Sequence, residues 1–265
     1  LEDSINVKIG VFDSGIGGTT VLQELRSRFP DQDFLYFGDT AHVPYGTKSP
    51  AQIRSLAKAA ASYLKSQGVD LLVVACNTAS CVAMDDIRQV MGATPVVGVV
   101  EAGVATVIRT MDQAVGLPIL ILGTRATVRS HTYFHLIRSA TSQAIEVYEQ
   151  ECPLLVPMIE EGWVDHPILH QTVAEYVKPY VSIEPGIALL ACTHYPWIKA
   201  AFQKALGSWK VVDSAWAMGE ALAEVVSQHV STSTAKTSKI QGELKWHFTD
   251  PESVPQFIFK QLGNA

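Results

Sequence analysis

Residues 70–80 read DLLVVACNTAS, and residues 187–196 read IALLACTHYP. Each is an apolar run without alternation, then Ala-Cys, then polar residues that include a threonine. Such a run suits a strand buried on both faces of a parallel sheet. The polar residues after it then fall at the strand's carboxyl end, where parallel α/β sheets bind ligands. Working outward, VKIGVF (7–12) is a further strand, followed by the turn DSGIGG (13–18) and a helix carrying Val21, Leu22, Leu25 and Phe29. DFLYFG (33–38) and VVGVV (96–100) also read as strands, and Ser49-Pro50 opens a helix with Ile53, Leu56, Ala60, Tyr63 and Leu64 on its apolar face.

A second series begins near residue 117. LPILILG (117–123) runs into Thr124, and AIEVY (144–148) and IALLA (187–191) are its other strands. Phe12 and Cys76 are 64 residues apart, and Leu122 and Cys192 are 70 apart, so the two series share a plan. The expected fold is therefore α/β, with two pseudo-symmetric halves and mainly parallel sheets. Residues 230–241 (VSTSTAKTSKIQ) read as an exposed loop, Trp246 and Phe248 mark a short strand, and Asp250-Pro251 open a closing helix through Phe257, Ile258 and Leu262.

Composition narrows the function. The chain has 265 residues, 48% of them hydrophobic and 17% charged, which excludes a disordered or coiled-coil protein. Twenty Lys+Arg against 26 Asp+Glu give a net charge of −6, so no nucleic-acid partner is expected. No apolar run is long enough to span a membrane, and residues 1–10 lack a signal-peptide pattern. Four cysteines in this length do not form a disulfide framework, so the reducing cytoplasm is the expected compartment and the thiols are available for chemistry.

Two of those thiols, Cys76 and Cys192, stand between a buried strand and a helix start. There a thiolate gains from the helix dipole and free N–H groups, and a small downward shift populates it near neutral pH. Cys81 and Cys152 read as small buried hydrophobes. Asp13 and Ser14 lie in a Gly-rich turn where Gly15, Gly17 and Gly18 let backbone approach an anion. Asn77, Thr78 and Thr193 offer donors and acceptors for an amino acid, and His194 is placed to tune the second thiol. No CxxC or HExxH pattern accompanies these residues, so no metal is expected.

In these residues the chain resembles the glutamate racemases of the aspartate/glutamate racemase superfamily. GVFDSGIGG (10–18), FGDTAHVPYGTKS (37–49), VVACNTAS (73–80), GTRAT (123–127), CPLLVPMIEEG (152–162), LLACTHYP (189–196) and VDSA (212–215) carry the likeness in order along the chain. The resemblance implies a cofactor-independent isomerase that interconverts L- and D-glutamate and supplies D-glutamate for bacterial peptidoglycan, commonly as a homodimer. It implies a discontinuous first domain, residues 1–98 and 211–265, around a second, residues 99–210, with the active site in the cleft between them. By motif match, Cys76 and Cys192 are the acid/base pair, with Asp13 assisting the first and Glu160 and His194 the second. The substrate-binding residues are Asp13, Ser14, Tyr45, Gly46, Asn77, Thr78, Thr124, Thr193 and His194. Glu101-Ala102-Gly103 departs from the family's Glu-Pro-Gly at what is expected to be an interdomain turn.

The chemistry of the residues agrees with this. Inverting a stereocentre by proton transfer takes a base on one face and an acid on the other, and two thiols from equivalent halves supply them. A racemase of aspartate or another amino acid shares the cysteines and differs in the side-chain pocket. A one-thiol decarboxylase has no use for the second cysteine, and a non-catalytic amino-acid-binding protein has no use for either.

Overall fold

The computed structural model of the protein describes residues 4–111, 116–141, 145–230, 236–237 and 241–255. The first half runs β1 (Ser4–Ile5), β2 (Lys8–Asp13), α1 (Thr19–Arg28), β3 (Asp33–Gly38), α2 (Pro50–Ser66), β4 (Leu71–Val74), α3 (Asn77–Met91), β5 (Val96–Gly98) and α4 (Val99–Met111). The second runs β6 (Ile119–Gly123), α5 (Arg125–Arg129), α6 (Thr132–Ala140), β7 (Val147–Glu151), α7 (Leu155–Glu160), α8 (Pro167–Val177), β8 (Ile187–Ala191), α9 (Lys199–Leu206) and β9 (Lys210–Asp213). The chain then forms α10 (Ala215–Val230), β10 (Lys236–Thr237) and β11 (Leu244–Phe248).

Two sheets form, each parallel throughout. One has the order β11-β3-β2-β4-β5 and the other β7-β6-β8-β9, while β1 and β10 make a small antiparallel pair. Counting strands within each half, both sheets have the order 2-1-3-4, and β11 extends only the first. Both therefore reverse strand order between their first and third strands, which opens a crevice at the carboxyl ends there. Asp13 and Cys76 lie at that point in one half, and Thr124 and Cys192 in the other.

Helices cover both faces of each sheet, which is why the strands lack polar alternation. In the first half, Phe12, Leu72 and Val74 pack with Ile53, Leu64 and Ile87 of α2 and α3. On the opposite face, Ile9, Val11 and Val73 pack with Leu22 and Leu25 of α1 and Met218 and Leu222 of α10. In the second half, Leu122 and Leu190 face Leu169, Val173 and Phe202 of α8 and α9, while Ile121 and Leu189 face α4 and α6. Ser49 caps α2 in a reciprocal capping box with Gln52, ahead of Pro50.

Several boundaries differ from the sequence reading. Val99 and Val100 belong to α4 rather than to a strand over 96–100. This helix is buried on two sides: Val99 and Ala102 join the first core, and Val100, Val104 and Val107 the second. An apolar run cannot separate such a helix from a strand. Glu101-Ala102-Gly103 consequently sits in the first turns of a helix, not in a loop. The strand expected over 144–148 occupies Val147–Glu151. β9 pairs with β8 as the last strand of the second sheet. Within 230–241, α10 continues to Val230 and Lys236-Thr237 pair with Ser4-Ile5, while 231–235 and 238–240 lie outside the described residues. Asp250 caps a single turn, Pro251–Ser253, and the helix expected onward through Phe257, Ile258 and Leu262 also lies outside them.

Candidate active site

Both cysteines follow a buried strand, but they meet different neighbours. Cys76 is the N-cap of α3, where the Ala79 N–H donates to its Sγ at 3.4 Å. Its thiol donates to Ser14 Oγ, also at 3.4 Å. Burial pushes the Cys76 thiol up to about 12, and the nearby Asp13 charge pushes the same way. Desolvation therefore outweighs the helix N-terminus, and Cys76 is a neutral thiol near pH 7 rather than the thiolate the sequence suggested.

Cys192 precedes a tight turn, Tyr195–Ile198, that runs directly into α9 and that the cysteine does not cap. Its Sγ lies 3.9 Å from His194 Nδ1, and His194 Nε2 lies 2.8 Å from Glu160 Oε1. Burial works against a charged imidazole, but the hydrogen bonds to Cys192 and Glu160 more than offset it and lift His194 to about 10. His194 is thus an imidazolium at neutral pH. Both ring nitrogens donate, one to the sulfur and one to the carboxylate.

Asp13 is fully buried, and burial raises its pKa while the His194 charge opposes the rise. Its carboxylate accepts from the Gly15 N–H at 3.0 Å and from Thr193 Oγ1 at 3.2 Å in the other half, and its charge reaches Cys76 through space. Gly17 lets the turn press against the opposite loop: a Cβ there would meet His194 Nδ1 and Thr193 Oγ1 at 2.4 Å. The Gly-rich turn thus packs against protein, where the sequence suggested an approach to an anion. Gly46 does the same on the other rim, where a Cβ would lie 2.3 Å from Thr124 Cβ.

The loops enclose a cavity of about 20 Å³ lined by Ser14, Pro44, Tyr45, Gly46, Cys76, Asn77, Thr78, Thr124, Val156, Cys192, Thr193 and His194. All the candidate residues named from the sequence line it except Asp13 and Glu160. Those two stand behind it, hydrogen-bonded to Thr193 and His194 respectively. A larger groove of about 410 Å³ shares Gly46 and carries Lys48, Arg125 and Arg129, but neither sulfur faces it.

Several supporting residues were missed. Asp39 accepts from Tyr45 Oη at 2.6 Å and from Thr249 Oγ1 at 2.8 Å, fixing the Tyr45 loop. The hydroxyls of Thr78, Thr124 and Thr127 meet across the cleft at 2.8–3.2 Å. Tyr133 Oη donates to Asn77 Oδ1 at 2.6 Å, again across the cleft. Asp39 and Thr127 sit within segments that carry the resemblance; Pro44 lies in one too, as a wall residue. Tyr133 lies in no recognisable pattern.

Residues 17–222 match the Asp/Glu/Hydantoin racemase family. The chain belongs to that family. The glutamate racemase of Syntrophus aciditrophicus is 40% identical over 258 residues, covering 96% of this chain and 90% of the relative. The structure of glutamate racemase from Francisella tularensis in complex with D-glutamate superposes with a TM-score of 0.87 at 35% identity, covering 97% of this chain and 94% of that one. The Escherichia coli glutamate racemase in complex with L-glutamate and the activator UDP-MurNAc-ala gives 0.76 at 25% identity, covering 97% and 96%. This racemase-family chain is thus an isomerase by kinship, with a small molecule as its substrate. Among its described residues no helix is long and apolar enough to cross a membrane.

Proposed function

We propose that the protein interconverts L- and D-glutamate by passing the α-proton between Cys76 and Cys192, without a cofactor. The observation that carries this reading is that two sulfurs, from equivalent switch points of two sheets, line one small cavity. Their neighbours divide the labour. Cys76, held protonated by burial, is the resting acid. Cys192, 3.9 Å from His194 Nδ1 and backed through it by Glu160, is assigned the base. Cys192 takes the α-proton from one face while Cys76 delivers its own to the other. The two sulfurs then hold exchanged protonation states, and the next cycle runs in the opposite sense or follows a reset.

The α-proton is weakly acidic, so the developing negative charge needs fixed donors. Asn77 Nδ2 is buried, lacks a hydrogen-bond partner and belongs to a residue that lines the cavity. An acceptor such as a substrate carboxylate would satisfy it. Thr78 and Thr193 add hydroxyl donors, and Ser14, Tyr45, Gly46 and Thr124 complete the wall. The cavity has room for about one water molecule and not for an amino acid, so admission of substrate requires the two halves to part along the Gly17 and Gly46 contacts. Glutamate as substrate is supported by the relatives, whose names specify it and two of whose structures hold it. By the same kinship the reading extends to supply of D-glutamate for peptidoglycan by a cytoplasmic homodimer.

The test is solvent-deuterium exchange at the α-carbon of L-glutamate, D-glutamate and L-aspartate by the purified protein. Exchange with inversion of both glutamate enantiomers is expected. Turnover of aspartate alone would transfer the mechanism to another substrate, and binding without exchange would make the protein a receptor.

A further inference from the structure

Asn77 has two polar ends in very different situations. Its Nδ2 is buried without a partner in the cavity wall, while its Oδ1 is held by the Tyr133 hydroxyl at 2.6 Å. An amide of this kind helps an anionic ligand only when its NH₂ faces the ligand. Turned over, it would present a carbonyl oxygen and repel a carboxylate. Something must therefore fix which way it points.

Tyr133 is fully buried at the start of α6, in the half of the molecule opposite Asn77. A phenol can donate or accept, so on its own it would not choose between the two amide orientations. Ser214 biases the choice. It is buried, it lies in the VDSA segment between β9 and α10, and its side chain flanks the Tyr133 hydroxyl over Gly103, placed to donate toward the phenol oxygen. With a donor on that side, the phenol directs its single proton to Asn77 Oδ1. Gly103 of α4 leaves room for this meeting, since a Cβ there would lie 3.0 Å from Tyr133 Oη and 3.3 Å from Ser214 Cβ.

We infer that Ser214 and Tyr133 form a positioning chain that turns the NH₂ of Asn77 toward the substrate carboxylate. The inference rests on the proposed racemase reading and adds two residues to it. Because Tyr133 and Asn77 belong to opposite halves, the chain is complete only when the cleft is closed. The donor is therefore correctly aimed at the moment substrate is enclosed and free to turn when the cleft opens.

The experiment is a double-mutant cycle on Tyr133→Phe and Asn77→Ala, read as KM and kcat for L-glutamate. Removing the hydroxyl is expected to raise KM by about 10-fold, the scale of a hydrogen bond to a charged group, while kcat changes less than KM. In the Asn77→Ala background the same substitution is expected to change KM by less than about 2-fold, because the aimed group is gone. Ser214→Ala should reproduce part of the Tyr133→Phe effect and provides the readout if Tyr133→Phe does not fold. Equal KM effects of Tyr133→Phe with and without Asn77, or an unchanged KM in Tyr133→Phe and Ser214→Ala, would overturn the positioning chain. Wild-type protein that racemises no glutamate would overturn the underlying reading instead, before any variant is compared.

Discussion

The Cys76 half and the Cys192 half share strand order, switch point and an Ala-Cys ending followed by polar residues with a threonine, yet they surround their sulfurs differently. Cys76 caps a 15-residue helix and touches a neutral hydroxyl, and burial leaves it protonated. Cys192 caps no helix and faces an imidazolium backed by a carboxylate. Repetition of the scaffold brings two identical groups to one cavity, and divergence of the loops gives them different neighbours. A pair of equal thiols would offer two acids or two bases, and neither combination inverts a carbon.

The sharpest way to break the comparison is to remove one sulfur. Cys76→Ala and Cys192→Ala should each lower racemisation by at least about 10³-fold, within the range of a positioned acid or base, with circular dichroism unchanged. Full racemisation by either variant would end the two-base reading. Next comes Gly17→Ala, whose new Cβ would collide with His194 Nδ1 and Thr193 Oγ1 and so disturb the Cys192 side selectively. A loss of about 10²-fold in kcat/KM is expected, as for small misplacements of reacting groups.

His194→Gln sharpens the contrast and should reduce kcat by about 10-fold or more, since it removes the cation beside Cys192. The same variant has a signature in stability. His194 lies at about 10 in the folded protein against 6.5 for an ordinary histidine, so its contribution is complete below pH 6.5 and is lost as pH rises toward 10. Cys76 lies at about 12 against 9.0, so its contribution is complete below pH 9.0 and is lost only as pH rises toward 12. Urea midpoints measured from pH 6 to 10 should fall in wild type and flatten in His194→Gln. The smallest effect is expected at Thr127→Val, which removes one hydroxyl from the cleft-spanning cluster: about 1 kcal/mol of stability, with activity within about 3-fold.

How much of this was legible follows from local physics. Doubly buried strands announce themselves as unbroken apolar runs, so β4 and β8, and with them Cys76 and Cys192, could be read directly. The same property hid the start of α4, where Val99 and Val100 continue an apolar run but belong to a helix wedged between two cores. β7 was misplaced because its VYEQE is half-buried at a sheet edge and carries three polar residues to two apolar, a loop-like mixture. Around the site, residues in the strand-end motifs could be gathered because the switch point brings those ends together. Tyr133 could not, since its role depends on a contact between α6 and α3 that no spacing encodes. That Cys76 is the sulfur held as a thiol was equally invisible, because burial sets it rather than the Ala-Cys context.

One edge of the first sheet has a bearing on how the molecule is made. β11 lies against β3, Thr249 Oγ1 bonds the Asp39 that holds Tyr45, and the Thr40 hydroxyl bonds the Asp250 backbone. During synthesis on the ribosome both sulfurs and both crossover layers emerge well before these residues do. A nascent chain short of residue 249 would carry the reacting groups with one wall of their chamber still untied, and competence would arrive late, when the outermost strand is laid down.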